Sequence, residues 1–183
     1  MQEQLIMSIE EELSKIINPK RFKHTMGVVK VSTYLAEKYH EDVQHTKIAA
    51  LLHDYAKDYT RQQLMEYIEE HKIAVDHIMI VAHELLHGKV AASIAEKKFN
   101  INNQNILNAI ENHTTARLGM SRLEKIIYLA DFIEEGRNYP GVEELRKIAD
   151  KDLDIAVLQA LNNTIIYVLS IGKLLHPNTL YAR

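Results

Sequence analysis

The chain has 183 residues, enough for one core that buries roughly 70% of the unfolded surface, and no shift in composition marks a second domain. Its net charge of −3 comes from Lys and Arg scattered among Glu and Asp, which excludes the basic stripe that nucleic-acid binding needs. With no cysteine, disulfides, thiolate ligands and a Cys nucleophile are excluded, and any bound metal must be held by nitrogen and oxygen.

Three prolines, six glycines and no sustained alternation of apolar and polar residues predict an all-α chain with no strand. The stretch Met1 to Glu12 is acidic and amphipathic, unlike a signal peptide, and the aliphatic run Ile78 to Leu86 is too short to span a bilayer. A cytoplasmic protein without a membrane partner is expected. Leu5, Ile6, Ile9, Leu13, Ile16 and Ile17 form a helical stripe that stops at Asn18-Pro19. A second helix from near Lys20 aligns His24 with Val28, Val31 and Leu35 on the face to be buried.

A third helix, roughly Val43 to Lys57, ends in Leu51-Leu52-His53-Asp54-Tyr55-Ala56-Lys57. An imidazole, a carboxylate and an ammonium within one turn of a buried segment call for pairing or a metal. Lys57, at i+4 from His53 and i+3 from Asp54, is expected on the same helical face. Arg61 to His71 reads as a polar helix with Leu64, Met65 and Ile68 inward, and His40, His45, His71, His77 and His176 read as solvated surface residues.

His83-Glu84-Leu85-Leu86-His87 matches the HExxH pattern of zinc proteases. Gly88 directly after it, and the lack of a strand to hold a peptide, count against that reading. His87 alone also aligns with Val90 and Ile94 on a helix Lys89 to Lys98, and the spacing leaves His83 and His87 both open. Ile106, Ile110 and His113 point a further imidazole inward on a helix from about Asn102. Ser121 with Glu124 forms a capping box for a helix whose inner face carries Leu123, Ile127 and Asp131. A loop follows from Glu134 to Gly141. Val142 to Ala149 and Leu153 to Leu175 then read as a short and a long packing helix, the latter with Ile155, Leu158, Leu161, Ile165 and Leu169 on one side and an apolar outer face that would permit a homodimer.

Imidazoles and carboxylates on the apolar faces of separate helices would exceed the usual folding margin of roughly 5–15 kcal/mol if left unpaired, whereas two divalent cations would compensate them together. The order H…HD…H…H…D resembles the HD-domain metal-dependent phosphohydrolases over most of the chain. The segments Leu85 to Val90, Ala109 to Thr115 and Leu129 to Glu134, with Arg137, look like the YqeK-type branch, symmetrical diadenosine tetraphosphate hydrolases of bacteria. Ala91, Ala116 and Glu135 depart from that branch's pattern, where glycine, glycine and proline are usual.

The resemblance implies a single HD-domain helical bundle spanning residues 1–183, with a metal-site core at about 20–135 and C-terminal helices at about 142–176. It implies His24, His53, Asp54, His87, His113 and Asp131 as ligands of two divalent ions, iron or else manganese, with Asp54 as bridge, and it favours His87 over His83. The expected reaction is cleavage of diadenosine tetraphosphate to two ADP by a metal-activated hydroxide, with Asp54 and Lys57 catalytic. Lys89, Thr114, Arg117, Arg137 and Tyr139 are candidates for binding the substrate. The competing readings are an HD phosphohydrolase for a nucleoside monophosphate, a guanosine alarmone or a cyclic dinucleotide, a non-catalytic nucleotide-binding module, and an HExxH protease.

Overall fold

A computed structural model describes residues 2–183; Met1, which opens the acidic N-terminal stretch, lies outside them. The described residues form α-helices and no strand, as composition predicts: α1 Gln2–Ile16, α2 Pro19–Lys38, α3 Val43–Leu52, α4 Arg61–His71, α5 His77–Val81, α6 Leu86–Phe99, α7 Gln104–Glu111, α8 Arg122–Ile133, α9 Val142–Ala149, α10 Leu153–Ser170 and α11 Pro177–Ala182. Local chemistry sets many of the starts. Asn18 accepts the Arg21 N–H with Pro19 in the first turn of α2, and Thr60–Gln63 and Ser121–Glu124 form reciprocal capping boxes for α4 and α8.

Two apolar clusters share the interior. Ile9 and Leu13 of α1, Ile48 and Leu52 of α3, Leu86 and Val90 of α6 and Ile110 of α7 build one. The other joins Leu35 of α2 to Ile126 and Leu129 of α8, Leu145 of α9 and Val157 of α10. Helices α2 and α8 pack on each other between them, so polar groups on their facing sides are taken out of water.

Several expectations are corrected. The third helix stops at Leu52 rather than Lys57, because the Tyr55, Lys57 and Tyr59 N–H groups bond back three residues, to Leu52, Asp54 and Ala56, and carry the chain through successive tight turns. Helix α6 begins at Leu86, after a single 3₁₀ turn at His83–Leu85, so HELLH is not one continuous helix. The long C-terminal helix ends at Ser170, and α11, unforeseen, starts at Pro177 with the His176 side chain as its cap.

His176 is not a surface residue: it is buried, with Nε2 2.7 Å from Asp76 Oδ2. The expected inner stripe of α10 is largely its outer one. Ile155, Leu158 and Leu169 are exposed, and Leu153, Ala156, Val157, Ala160 and Leu161 face α8 and α9. Small alanines allow close helix approach there. Ile16 of α1 is exposed as well. Helix α10 is long and apolar enough to cross a membrane by length and composition alone.

Candidate metal centre and active site

His24 lies in the first half of α2, and Asp131 faces it from the last turn of α8. His53 caps the C-terminal end of α3, Asp54 opens the turns beyond it, His87 sits in the first turn of α6, and His113 follows the end of α7. A Cβ on Gly88 would stand 2.6 Å from the Glu111 carbonyl oxygen. Only glycine therefore lets α6 approach the end of α7 closely enough to bring His87 against His113.

Three of the imidazoles are held alike. The Nδ1 of His53, His87 and His113 donates to the carbonyl three residues back, Ala50 at 2.6 Å, Glu84 at 2.6 Å and Ile110 at 2.7 Å. A carbonyl only accepts, so Nδ1 carries the proton and each Nε2 turns a lone pair to the centre. His24 differs: its Nδ1 lies 3.2 Å from Glu134 Oε1.

Asp54, buried, stands between the imidazoles. Its Oδ1 is 3.2 Å from His87 Nε2 and 3.5 Å from His113 Nε2; its Oδ2 is 3.8 Å from His53 Nε2 and 3.9 Å from His24 Nε2. Asp131 Oδ1 is 3.1 Å from His24 Nε2. Donor atoms of His24, His53 and Asp131, and of His53, Asp54 and His113, each fall within 4.8 Å of one another.

Burial pushes the His53 and His87 imidazoles down to about 4, so both are neutral at physiological pH. For Asp54 burial favours the acid, but the protonated forms of His53, His113 and His87, populated only in acid, would outweigh it, so the carboxyl is held well below its usual range. Burial likewise opposes ionisation of Asp131, and His24, His53 and Arg137 overcome it. His24 is raised: burial disfavours its cation, and Asp131 and Glu134 on its two nitrogens outweigh that.

This donor set fits a divalent cation. The Nε2 atom of His53 is buried without a hydrogen bond, and His87 Nε2 and His113 Nε2 face each other at 3.0 Å, a lone-pair opposition that a cation relieves. Neutral His53 and His87 and ionised Asp54 and Asp131 are in the protonation states that metal binding requires.

Of the other predicted residues, Lys57 places Nζ 3.3 Å from His87 Nε2, and Thr114 Oγ1 is 3.1 Å from His113 Nε2. Lys57 arrives there through the turns after Asp54, not from a shared helical face. Arg137 bonds the Asp131 carboxylate and carbonyl, and the Tyr139 hydroxyl donates to the Phe132 carbonyl. Two are engaged elsewhere. Lys89 pairs with Glu111 at 2.7 Å, and Arg117 is committed to both oxygens of the buried Glu124, at 2.6 and 2.7 Å. His83 is partly exposed, with Nδ1 3.9 Å from Glu84 Oε2, and Glu84 pairs with Lys173.

Sequence reasoning missed Arg21, whose Nη1 donates to Asp54 Oδ2 at 2.7 Å, and Glu134. Arg21 lies three residues before His24, on the same helical face, which was the available signal.

The fold and the cluster together define a helical protein built around a buried set of nitrogen and oxygen donors that could hold a metal ion. A family model described as HD domain matches residues 21–136. The symmetrical bis(5'-nucleosyl)-tetraphosphatase of Bacillus subtilis (strain 168) is 36% identical over 176 residues, 94% of each chain. That of Halalkalibacterium halodurans is 40% identical over 160 residues, 87% of this chain and 85% of its own. A crystal structure from Clostridium acetobutylicum, described as a predicted HD superfamily hydrolase involved in NAD metabolism, superposes with a TM-score of 0.92 at 43% identity, covering 96% of this chain and 93% of that one. This chain belongs to the HD domain family, in the branch that holds these symmetrical tetraphosphatases.

Proposed function

We propose that this chain is a metal-dependent phosphohydrolase that cleaves dinucleoside polyphosphates symmetrically, converting diadenosine tetraphosphate and water to two ADP. The observation that carries the reading is Asp54: each of its oxygens faces a separate pair of imidazoles in a buried site, and the surrounding family branch is named for this activity. His24, His53, Asp54, His87, His113 and Asp131 would hold two divalent cations, which would account for the whole donor set. Nitrogen and carboxylate donors suit iron, with manganese as the other candidate.

When bound, such cations supply Lewis acidity toward the phosphoryl oxygens and an acidified water as nucleophile. The phosphorus beside the central bridging oxygen gains the water's oxygen and loses the bridge, so each half leaves as ADP. Lys57 and Arg21, within hydrogen-bond reach of cluster atoms, stabilise the charge that develops on the phosphoryl oxygens. Arg137 orients the chain of phosphates through its planar fork, and the Thr114 hydroxyl donates a further hydrogen bond. The whole chain works as one domain, in the cytoplasm.

The test is to load purified protein with iron(II) or manganese(II) without oxygen, offer diadenosine tetraphosphate and the competing nucleotides, and resolve early products by chromatography. ADP alone supports the reading. ATP with AMP, or no turnover, removes it.

A further inference from the structure

Symmetrical cleavage demands that the substrate extend in both directions from the metal cluster, with a nucleoside at each end. Two cavities flank the cluster and share Arg137 as a common wall. The one toward α10, about 720 Å³, is walled by Phe132, Tyr139, Ile166 and Tyr167 and reaches Asp131, within the roughly 300–1,000 Å³ of ordinary ligand sites. The one toward the start of α2, about 790 Å³, carries Lys20, Arg21 and Lys23 and reaches His24. One side offers flat apolar surface; the other carries Lys20, Arg21, Lys23 and Arg137 beside Glu134 and Glu135.

The apolar wall is held in place by polar contacts behind it. The Tyr139 hydroxyl donates to the Phe132 carbonyl at 3.0 Å, Phe132 packs on Tyr128 with ring centroids 5.1 Å apart, and the Tyr128 hydroxyl meets Thr164 Oγ1 at 2.9 Å, tying α8 to α10. Ile166 and Tyr167 lie 67% and 63% exposed on the opposite wall, apolar area that a planar ring would cover.

Resting on the proposed function, we infer that the cavity between Phe132–Tyr139 and Ile166–Tyr167 seats one nucleoside of the dinucleoside polyphosphate by stacking. The polyphosphate then runs past Arg137 and the cluster toward Lys20, Arg21 and Lys23. Arg137 spends two of its five N–H groups on Asp131, so donors remain for a phosphate passing it. Every base has a π-face, so a stacking wall tolerates different nucleosides and grips through area.

The experiment compares metal-loaded wild type, Tyr167→Ala, Ile166→Ala and the pair Lys20→Ala with Lys23→Ala, measuring hydrolysis of diadenosine tetraphosphate and inhibition by inorganic tripolyphosphate. Loss of a stacking contact corresponds to roughly five- to a hundredfold in affinity. Tyr167→Ala is expected to raise KM at least fivefold with kcat within about twofold of wild type and tripolyphosphate inhibition unchanged. The lysine pair is expected to weaken tripolyphosphate and substrate together, with a shallower salt dependence. Unchanged KM in Tyr167→Ala and Ile166→Ala overturns the nucleoside site. A change in oligomeric state with unchanged KM overturns it too, and assigns that face to a second copy of the chain. Absence of ADP formation by wild type defeats the proposed function itself, which separates the two failures.

Discussion

His24 and Glu134 meet on the side of the imidazole turned away from Asp131: Glu134 Oε1 stands 3.2 Å from Nδ1, where the other three imidazoles use backbone carbonyls. Glu134 is buried, its Oε2 accepts the Gly136 N–H at 2.6 Å, and a Cβ on Gly27 would lie 2.5 Å from that same oxygen. Close packing therefore fixes the carboxylate, and the carboxylate fixes the ring. A carboxylate behind a ligating imidazole orients it and raises its basicity, and losing one weakens metal affinity about 10- to 100-fold.

Glu134→Gln is accordingly expected to bind manganese(II) at least about tenfold more weakly in calorimetric titration, with its far-ultraviolet circular dichroism unchanged. Wild-type affinity in that variant would reduce Glu134 to a packing residue.

Gly88 sets the spacing of His87 and His113. Gly88→Ala presses a Cβ against the Glu111 carbonyl oxygen, which is backbone and cannot swing aside. Overpacking of this kind costs about 1–3 kcal/mol, or a fall in Tm of roughly 2–12 °C for a chain of this size. Thermal denaturation measures it, and a variant as stable as wild type would show that α6 and α7 are not held this close.

The stability of chelator-treated protein is expected to fall as pH drops. His53 and His87 titrate near 4 in the folded chain and near 6.5 when unfolded, so between those values the unfolded state binds more protons. Their contribution is complete above about 6.5 and is lost as pH falls toward about 4. His24, raised, acts in the opposite sense, contributing below 6.5 and losing its contribution as pH rises past its folded value. Near pH 5 the two buried imidazoles dominate. Urea denaturation from pH 7 to 4.5 reads the slope, and a flat profile would mean that these imidazoles are solvated.

Ala116 occupies the left-handed region at φ 56° and is buried. An L-residue there costs roughly 1–2 kcal/mol, against about 0.5–1 kcal/mol of extra unfolded-chain freedom for glycine. Ala116→Gly should therefore stabilise the protein by about 0.5–1 kcal/mol, read from the urea midpoint; a clear loss would show that the methyl group's packing outweighs the strain.

The sequence made the cluster legible because His24, Asp131 and His113 lie in register with apolar helical stripes, and because the Asn18-Pro19 stop and the Ser121–Glu124 box are local signals. What it hid depends on distant partners. The burial of His176 needs Asp76, 100 residues away, and the engagement of Arg117 needs the buried Glu124. Helix α10 is apolar on several sides, so periodicity could not choose its inner face; Ala156 and Ala160 did, by letting α8 and α9 approach. The turns after Leu52 follow from hydrogen bonds that an apolar run continuing into a charged pair does not announce.

Metal content per chain, by elemental analysis of wild type and Asp54→Ala prepared side by side, bears most directly on the central claim. With Asp54 facing all four imidazoles, wild type is expected to hold about two divalent ions and the variant to lose both. An Asp54→Ala protein that folds and retains the wild-type metal content would contradict the account at its centre.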